Sequence, residues 1–318
     1  MKNDLPDKIR AELAEKRSAA EERAYNALIS ARRDAEFCRL DDEFRGLAFD
    51  LEKVKIKGAD TSALEAAKEA AEVARLKRLA AIGGKIADFE PEYACKRCND
   101  TGTEEMTGAA CVCTESRYLE LVATHCALGH SAPYRFKDFK SSVCGDETHK
   151  KQLLLLKKYF EGYVQKFPDV KFPNIVLIGE TGVGKSFLIS AAANALVEKG
   201  VFVKYVTAFE FSNTALTYHT SPLNARGSVL EDILNFDVLI IDDLGSEPML
   251  KNVTCEYLYL VLSERAAKNL AVIIATNLSV EDIGARYGER VYSRLTDVSR
   301  TKRKEITGKD LRVTRGEI

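Results

Sequence analysis

Residues Asn174–Ser186 read NIVLIGETGVGKS, and this stretch decides the fold. It begins with Ile175-Val176-Leu177-Ile178, a short β-branched run of the kind that forms a strand buried on both faces of a parallel sheet. Gly179 ends the run, and Gly179-Glu180-Thr181-Gly182-Val183-Gly184-Lys185-Ser186 fits G-x-x-x-x-G-K-[ST] without a mismatch. The glycines let the backbone curl until its N–H groups converge on a phosphate. In that pattern Lys185 reaches the β/γ-phosphates of a nucleotide such as ATP, and the Ser186 hydroxyl ligates Mg²⁺. A helix is expected from Lys185 to about Lys199, with Phe187 in its first turn beside the phosphate-binding residues. Its positive N-terminus aims at the same anion.

A second signature follows at Asp237-Val238-Leu239-Ile240-Ile241-Asp242-Asp243-Leu244-Gly245. Four apolar residues form a central strand that ends in two acids at its carboxyl edge, where ligands of open α/β sheets collect. Asp242 is placed to hold Mg²⁺, directly or through water. Asp243 lies where a carboxylate polarises an attacking water. A lone acidic pair ending a strand is often a helix N-cap; its partnership with the glycine loop favours the metal reading. Ala271–Ala275 is a further strand and runs into Thr276-Asn277, whose amide both donates and accepts and so suits a γ-phosphate or a water. Gly288–Leu295, GERVYSRL, puts Arg290 and Arg294 four apart on one helical face. Two surface arginines are the plain reading of that spacing, but the planar guanidinium bonds phosphate bidentately.

Other elements fill the space between. Lys150–Gln165 predicts a helix with Leu153, Leu156, Phe160 and Val164 inward, preceded by a leader with Pro133, Phe136 and Phe139 that packs on the next domain. Val201–Val206 reads as a strand, and Ala208–Tyr218, Ser228–Asn235 and Asn252–Ala267 as helices.

Upstream, Lys2–Gly84 is rich in Ala, Glu, Lys, Arg and Leu. Ile9, Leu13, Ala20, Ala24, Ala27, Leu28, Ala31, Ala35 and Cys38 recur at helical steps. A break near Lys57–Asp60 and a capping-box spacing of Ser62 and Glu65 predict two antiparallel helices, the second ended by Gly83-Gly84. The stripe is narrow and Ala-rich, which suits either a partner-binding module or a solvated arm. Next come Cys95-Lys-Arg-Cys98 and Cys111-Val-Cys113, two close pairs able to close a tetrahedral Zn²⁺ shell. A redox pair is the rival for Cys95 and Cys98, but no βαβ context surrounds them. His125, Cys126 and His130 lie nearby and read as ordinary helix-end or core residues.

Composition bounds these readings. With 318 residues there is room for two or three domains, and 46% hydrophobic with 30% charged residues fits a water-soluble chain. A net charge of −1 gives no global pull toward nucleic acid or membrane. The longest aliphatic run, Leu270–Ala275, is too short to span a bilayer, and the first residues are charged, so a cytoplasmic protein without membrane contact is expected. Eight cysteines in that compartment are thiols or metal ligands.

The span from about Pro133 to Lys309 resembles the ATPase domain of the bacterial DnaC/DnaI helicase loaders, within the AAA+ superfamily. GETGVGKS, LIIDDLG, ATNL (Ala275–Leu278), GERVYSRL and ITGKD (Ile306–Asp310) carry the resemblance. The cysteine group is similar to the zinc-bearing region of DnaI-like members. IstB-like transposition ATPases share the five ATPase motifs. The resemblance implies an α/β fold: an AAA+ P-loop three-layer domain with a parallel sheet at 131–318, preceded by a helical partner-binding region at 1–86 and a zinc knuckle and linker at 87–130. It makes Lys185 and Ser186 Walker A, Asp242 and Asp243 Walker B, Asn277 sensor 1, Arg290 an arginine finger acting on a neighbouring subunit's ATP, and Arg294 sensor 2. Where many AAA+ proteins carry Asp-Glu, this chain has Asp-Asp; the shorter Asp243 implies slow hydrolysis, suited to a switch. The implied partners are a hexameric replicative DNA helicase, single-stranded DNA and further copies of this chain. Ala208–Asn235 matches the loaders' DNA-contacting helix, with Arg226 and His219 as its few basic residues. Two alternatives stand beside this: an IstB-like transposition or phage accessory ATPase acting with duplex DNA and a recombinase, and an adaptor that binds ATP but scarcely hydrolyses it.

Overall fold

The computed structural model describes residues 4–126, 128, 133–140, 144, 146–222 and 226–312, and the chain divides after Tyr118 into two compact units. In the first, the helices are α1 (Leu5–Ala31), α2 (Ala35–Ile56) and α3 (Ser62–Ala81). The expected pair of helices is therefore a set of three. The missed break is at Arg32–Asp34: the Arg32 N–H closes α1 onto Leu28 O, and the Asp34 carboxylate accepts from Phe37 N at 2.8 Å as N-cap of α2. A capping aspartate inside a charged run looks like any other surface acid until its partner N–H is known.

The narrow Ala stripe leaves little apolar surface to bury, and charge pairs supplement it. Phe37, Ala31 and Leu79 make a small cluster with Phe89 against it. Around it, Arg78 grips Asp34 with both arms of its guanidinium, 2.8 Å and 2.5 Å. Asp41, only 1% exposed, receives Arg32 at 2.6 Å, Arg45 at 2.9 Å and Arg75 at 3.0 Å. A buried carboxylate is tolerated only with such partners.

The division between units falls inside α4 (Val112–Cys126). The second unit continues with α5 (Glu147–Lys166), β1 (Asn174–Gly179), α6 (Lys185–Glu198), β2 (Val203–Thr207), α7 (Ala208–Thr220), α8 (Arg226–Val229) and α9 (Glu231–Asn235). It ends with β3 (Val238–Leu244), α10 (Thr254–Ala267), β4 (Ala271–Thr276), α11 (Val280–Tyr287), α12 (Glu289–Thr296) and β5 (Thr301–Ile306). The strands form one parallel sheet in the order β2-β3-β4-β1-β5. The central strands are buried along nearly their whole length, as their unbroken apolar runs require. Leu153, Leu156, Phe160 and Val164 of α5 are buried, as their spacing predicted.

Strand β5 lay outside the sequence reading. Its sequence, TKRKEI, buries only Thr301 and Ile306. It is an edge strand, and its charged side chains guard the open edge against further pairing. The expected helix Ser228–Asn235 is the two short helices α8 and α9. Arg265, fully buried, ties this region to the sheet by donating to the carbonyls of Ile233, Phe236 and Ala271 at 2.7, 2.9 and 2.7 Å. No helix among the described residues is long and apolar enough to cross a membrane.

Candidate nucleotide site and cysteine cluster

Because the strands run parallel, the turns after β1, β3 and β4 open at one edge of the sheet, and the signature residues stand on those turns. In the loop after β1, Gly182 and Gly184 have φ of +81° and +102°, values that glycine adopts without strain. Gly184 caps α6, and Lys185 follows with its Nζ donating to Gly179 O and Glu180 O, both at 2.7 Å. Burial lowers the pKa of Lys185, while Asp243 and Asp242 oppose that shift.

The two signatures meet at one bond. Ser186 Oγ donates to Asp242 Oδ1 at 3.2 Å. The other oxygen, Oδ2, accepts from the Tyr205 hydroxyl at 2.7 Å, and the Asp243 N–H donates to Oδ1 at 2.9 Å. Burial, and then the Asp242 charge, push the Tyr205 pKa up, so the phenol keeps its proton. Two hard oxygen donors side by side fit Mg²⁺, which takes oxygen ligands and retains waters. Asp243 is exposed, with φ of +57°, at the register shift between β3 and β4. A non-glycine residue there is strained, and such strain concentrates at functional positions.

Thr276 Oγ1 donates to Leu244 O at 2.6 Å and ties the end of β4 to the end of β3. This sets Asn277 against Gly245, where an added Cβ would lie 3.3 Å from Asn277 Oδ1. Asp242, Asp243 and Asn277 thus share one sheet edge with the loop. Arg290 and Arg294 stand elsewhere. Both are exposed on α12, with their guanidinium carbons 4.6 Å and 5.9 Å from the centre of the Tyr259 ring on α10. The nearby Ser263 hydroxyl and Arg294 guanidinium, with the Arg290 charge, hold the Tyr259 pKa below its ordinary value. Among the described residues, neither arginine is bonded to the loop or the two aspartates. Phe187 packs its ring between Tyr134 and Phe139 at 5.0 and 6.0 Å, which leaves its backbone N–H as the group it can offer a phosphate.

The sequence reading missed a strap across the loop. Leu311 N donates to Gly182 O at 3.0 Å, and the Asp310 carboxylate lies where a Cβ on Gly182 would stand. Gln152 of α5 accepts from Thr307 N at 3.0 Å, and His149 Nε2 bonds Val183 O at 3.0 Å with Gly308 packed on its ring. The ITGKD motif was the available signal, but its glycine gives no hint of its neighbour. Tyr205 and Glu247 were also unforeseen, since each acts through a contact distant in sequence.

In the first unit the sulfurs of Cys95, Cys98, Cys111 and Cys113 lie within 4.8 Å of one another. Cys95 and Cys111 are 3.8 Å apart, Cys98 and Cys113 3.5 Å. A tetrahedral shell with Zn–S bonds of ~2.3 Å requires S–S separations of ~3.8 Å, so the cluster fits zinc. Asp100, 2% exposed, fixes the first pair by accepting from Ala94 N and Cys95 N, both at 2.8 Å. Backbone N–H groups of Cys98 and then Arg97 hold the Cys95 thiol down at about 7, while burial pushes the Cys113 thiol up. His125 bonds Leu121 O instead, and Cys126 is buried against Val203 N at 3.2 Å, so neither joins the cluster; His130 lies outside the described residues.

The segment proposed to meet DNA offers little free charge. Arg226 donates to Ser221 O at 2.8 Å and His219 O at 3.0 Å, and the His219 ring pairs with the Tyr257 hydroxyl.

Sheet order, glycine loop and paired aspartates define a P-loop nucleotide-binding domain. More narrowly, residues 166–298, less than half of the chain, match the family described as IstB-like ATP binding protein. It is 26% identical over 221 residues to the phage-like element PBSX protein XkdC of Bacillus subtilis, covering 64% of this chain and 80% of that protein. It is 25% identical over 135 residues to the replicative helicase loader DnaC of Escherichia coli, covering 42% of this chain and 54% of DnaC. With the replicative helicase loader DnaI of Bacillus subtilis it shares 31% identity over 121 residues, 36% of either chain. The matched stretch thus spans about half of DnaC and about a third of DnaI.

Proposed function

We propose that this protein is a cytoplasmic, ATP-dependent loader of a hexameric replicative helicase, working as a slow nucleotide switch. The observation that carries the reading is the placement of the charges. Lys185, Ser186, Asp242, Asp243 and Asn277 share one sheet edge, while Arg290 and Arg294 are exposed and turned onto Tyr259. Arg312 of the same chain is near enough to act on the Lys185 charge, but the two arginines of α12 are turned away from the loop, and an arginine finger can be supplied in trans by a neighbouring subunit. In this scheme Lys185 exchanges its two carbonyl partners for the β/γ-phosphates; Ser186 and Asp242 would hold Mg²⁺, which when bound would supply neutralisation of phosphate charge. Asp243 takes the proton of the attacking water, and Asn277 orients that water. The short arm of Asp243 keeps turnover low. Arg290 reaches the neighbour's ATP. Arg294 shares the same ring and exposed face, which favours it acting alongside Arg290 rather than on its own chain's nucleotide.

Residues 1–86 would grip the helicase, 87–130 would form the zinc-stapled linker, and 131–318 the ATPase that holds single-stranded DNA. The similarity to DnaC and DnaI and the cysteine cluster support this division. The full-length chain should be retained by an immobilised replicative helicase hexamer, more strongly with ATP than with ADP. Absence of retention in either state removes the loader reading. Lys185→Ala and Asp243→Ala should each abolish phosphate release; an unchanged rate in both would overturn the assignment of the site, and scarcely any release by the unsubstituted protein would reduce it to a nucleotide-binding adaptor. The IstB-like family match favours a second reading, an accessory ATPase on duplex DNA with a recombinase. Preference for duplex over single-stranded oligonucleotide in the presence of ATP would select it.

A further inference from the structure

Glu247 is a carboxylate at 2% exposure, four positions beyond Asp243, that the scheme above leaves unused. Burial of such a group is unfavourable unless its oxygens are partnered. Oε2 accepts from Gly245 N at 2.8 Å, and Oε1 accepts a short hydrogen bond from the Tyr287 hydroxyl. Arg286 Nη2 donates to Glu247 O at 2.5 Å, while Arg286 Nε stays 3.7 Å from Oε1, too long for a hydrogen bond. That Nε is buried and has no hydrogen-bond partner.

The two sides of this carboxylate lead to different places. Gly245 ends the turn that carries Asp243 and packs against Asn277. Arg286 and Tyr287 end α11, and Gly288, with φ of +84°, is the single residue between α11 and α12. Arg290 and Arg294 follow on α12. Holding the Tyr287 ring in the core does not require this bond, since the residue is 4% exposed and belongs to the same buried apolar cluster as Ile283, Val291 and Leu295. Apolar residues of similar volume would serve a purely structural tie as well.

We propose that Glu247 is a positioning residue that couples the turn at Asp243–Gly245 to the aim of Arg290 and Arg294. Engagement of phosphate and water at Asp243 and Asn277 shifts the turn, the Arg286–Glu247 pair closes, and α12 pivots at Gly288. The arginines are then presented to a neighbour only when the chain's own site is filled. This inference rests on the composite site proposed above.

The test uses the full chain with Tyr287→Phe, which removes one hydroxyl and keeps the ring, and with Glu247→Gln, which keeps size and one acceptor. Fluorescent-nucleotide affinity should stay within about twofold of the unsubstituted protein, while the ATP-over-ADP gain in self-association falls about tenfold or more. Hydrolysis should fall in kcat with KM unchanged. Tyr287→Phe protein that is folded, assembles on ATP and turns over like the unsubstituted chain overturns the coupling. Should Glu247→Gln lose its fold, Tyr287→Phe alone decides. Failure of the unsubstituted protein to assemble on ATP has a different signature: it removes the composite site, and the coupling with it.

Discussion

The hydroxyl of Ser186, at the start of α6, donates to Asp242 Oδ1 at the end of β3, 3.2 Å away and 56 positions along the chain. This bond joins the two nucleotide signatures into one site, and the Tyr205 hydroxyl fixes its geometry by holding Oδ2 at 2.7 Å. Partners that orient a metal-ligating carboxylate are commonly worth 10–100-fold in metal affinity or activity. Tyr205→Phe should therefore lower phosphate release about tenfold and raise the Mg²⁺ concentration needed for half-maximal rate. Asp242→Asn should abolish release. A Mg²⁺ titration checks both; a Tyr205→Phe curve that overlays the unsubstituted one assigns Tyr205 to packing alone.

The exposure of Arg290 and the burial of Lys185 give a mixing experiment its logic. Lys185→Ala spoils the chain's own loop and leaves its arginine intact; Arg290→Ala does the reverse. Each alone should be inactive, and an equimolar mixture should regain roughly a quarter to a half of the activity, because mixed neighbours pair a sound loop with a sound arginine. Linear addition of two inactive rates in the mixture means that Arg290 serves its own chain or none.

How much of this was legible depended on whether the cause was local. The loop, the strands and the acidic pair were readable because an apolar run followed by glycines or acids has few other uses. The cysteine cluster was readable from spacing, since four thiols close in sequence can reach one metal. Residues whose role lies in a distant partner escaped. Asp34 looks like surface charge until Arg78 and the Phe37 N–H are placed around it. Strand β5 has no apolar period to announce it, because an edge strand is built to be charged. Glu247 and Tyr287 are 40 positions apart, and nothing in either neighbourhood signals the other.

The sulfur spacing of 3.8 and 3.5 Å makes a quantitative statement about metal. Purified protein should contain about one Zn²⁺ per chain, and Cys95→Ser or Cys111→Ser should lower it well below half. Chelation should loosen the first unit, seen as faster hydrogen exchange at Ala94 and Cys95, whose N–H groups Asp100 holds. Hydrolysis should change little, since a closed four-sulfur shell has no open position for chemistry. Wild-type protein that is folded, protected at Ala94 and Cys95 and free of metal would show the cluster to be a thiol group only.

The Arg78 fork on Asp34 sets a pH dependence for the helical unit. Hydrogen bonds from Arg78, then from Phe37 N, hold the Asp34 carboxyl at about 2, below the ordinary range of about 4. A carboxyl whose folded pKa is depressed stabilises the fold above its unfolded pKa, and that contribution disappears as pH falls through the folded one. The stabilisation by Asp34 should therefore be complete above about pH 5 and decline between pH 4 and pH 2. Asp34→Asn removes the charge and keeps an N-cap of equal quality, so it isolates the ion pair from the cap. Thermal unfolding of both proteins should give midpoints farthest apart near neutral pH and converging below pH 4. A gap that is constant across that range would mean that the Arg78 charge is not what holds Asp34, and that α2 is set by its cap alone.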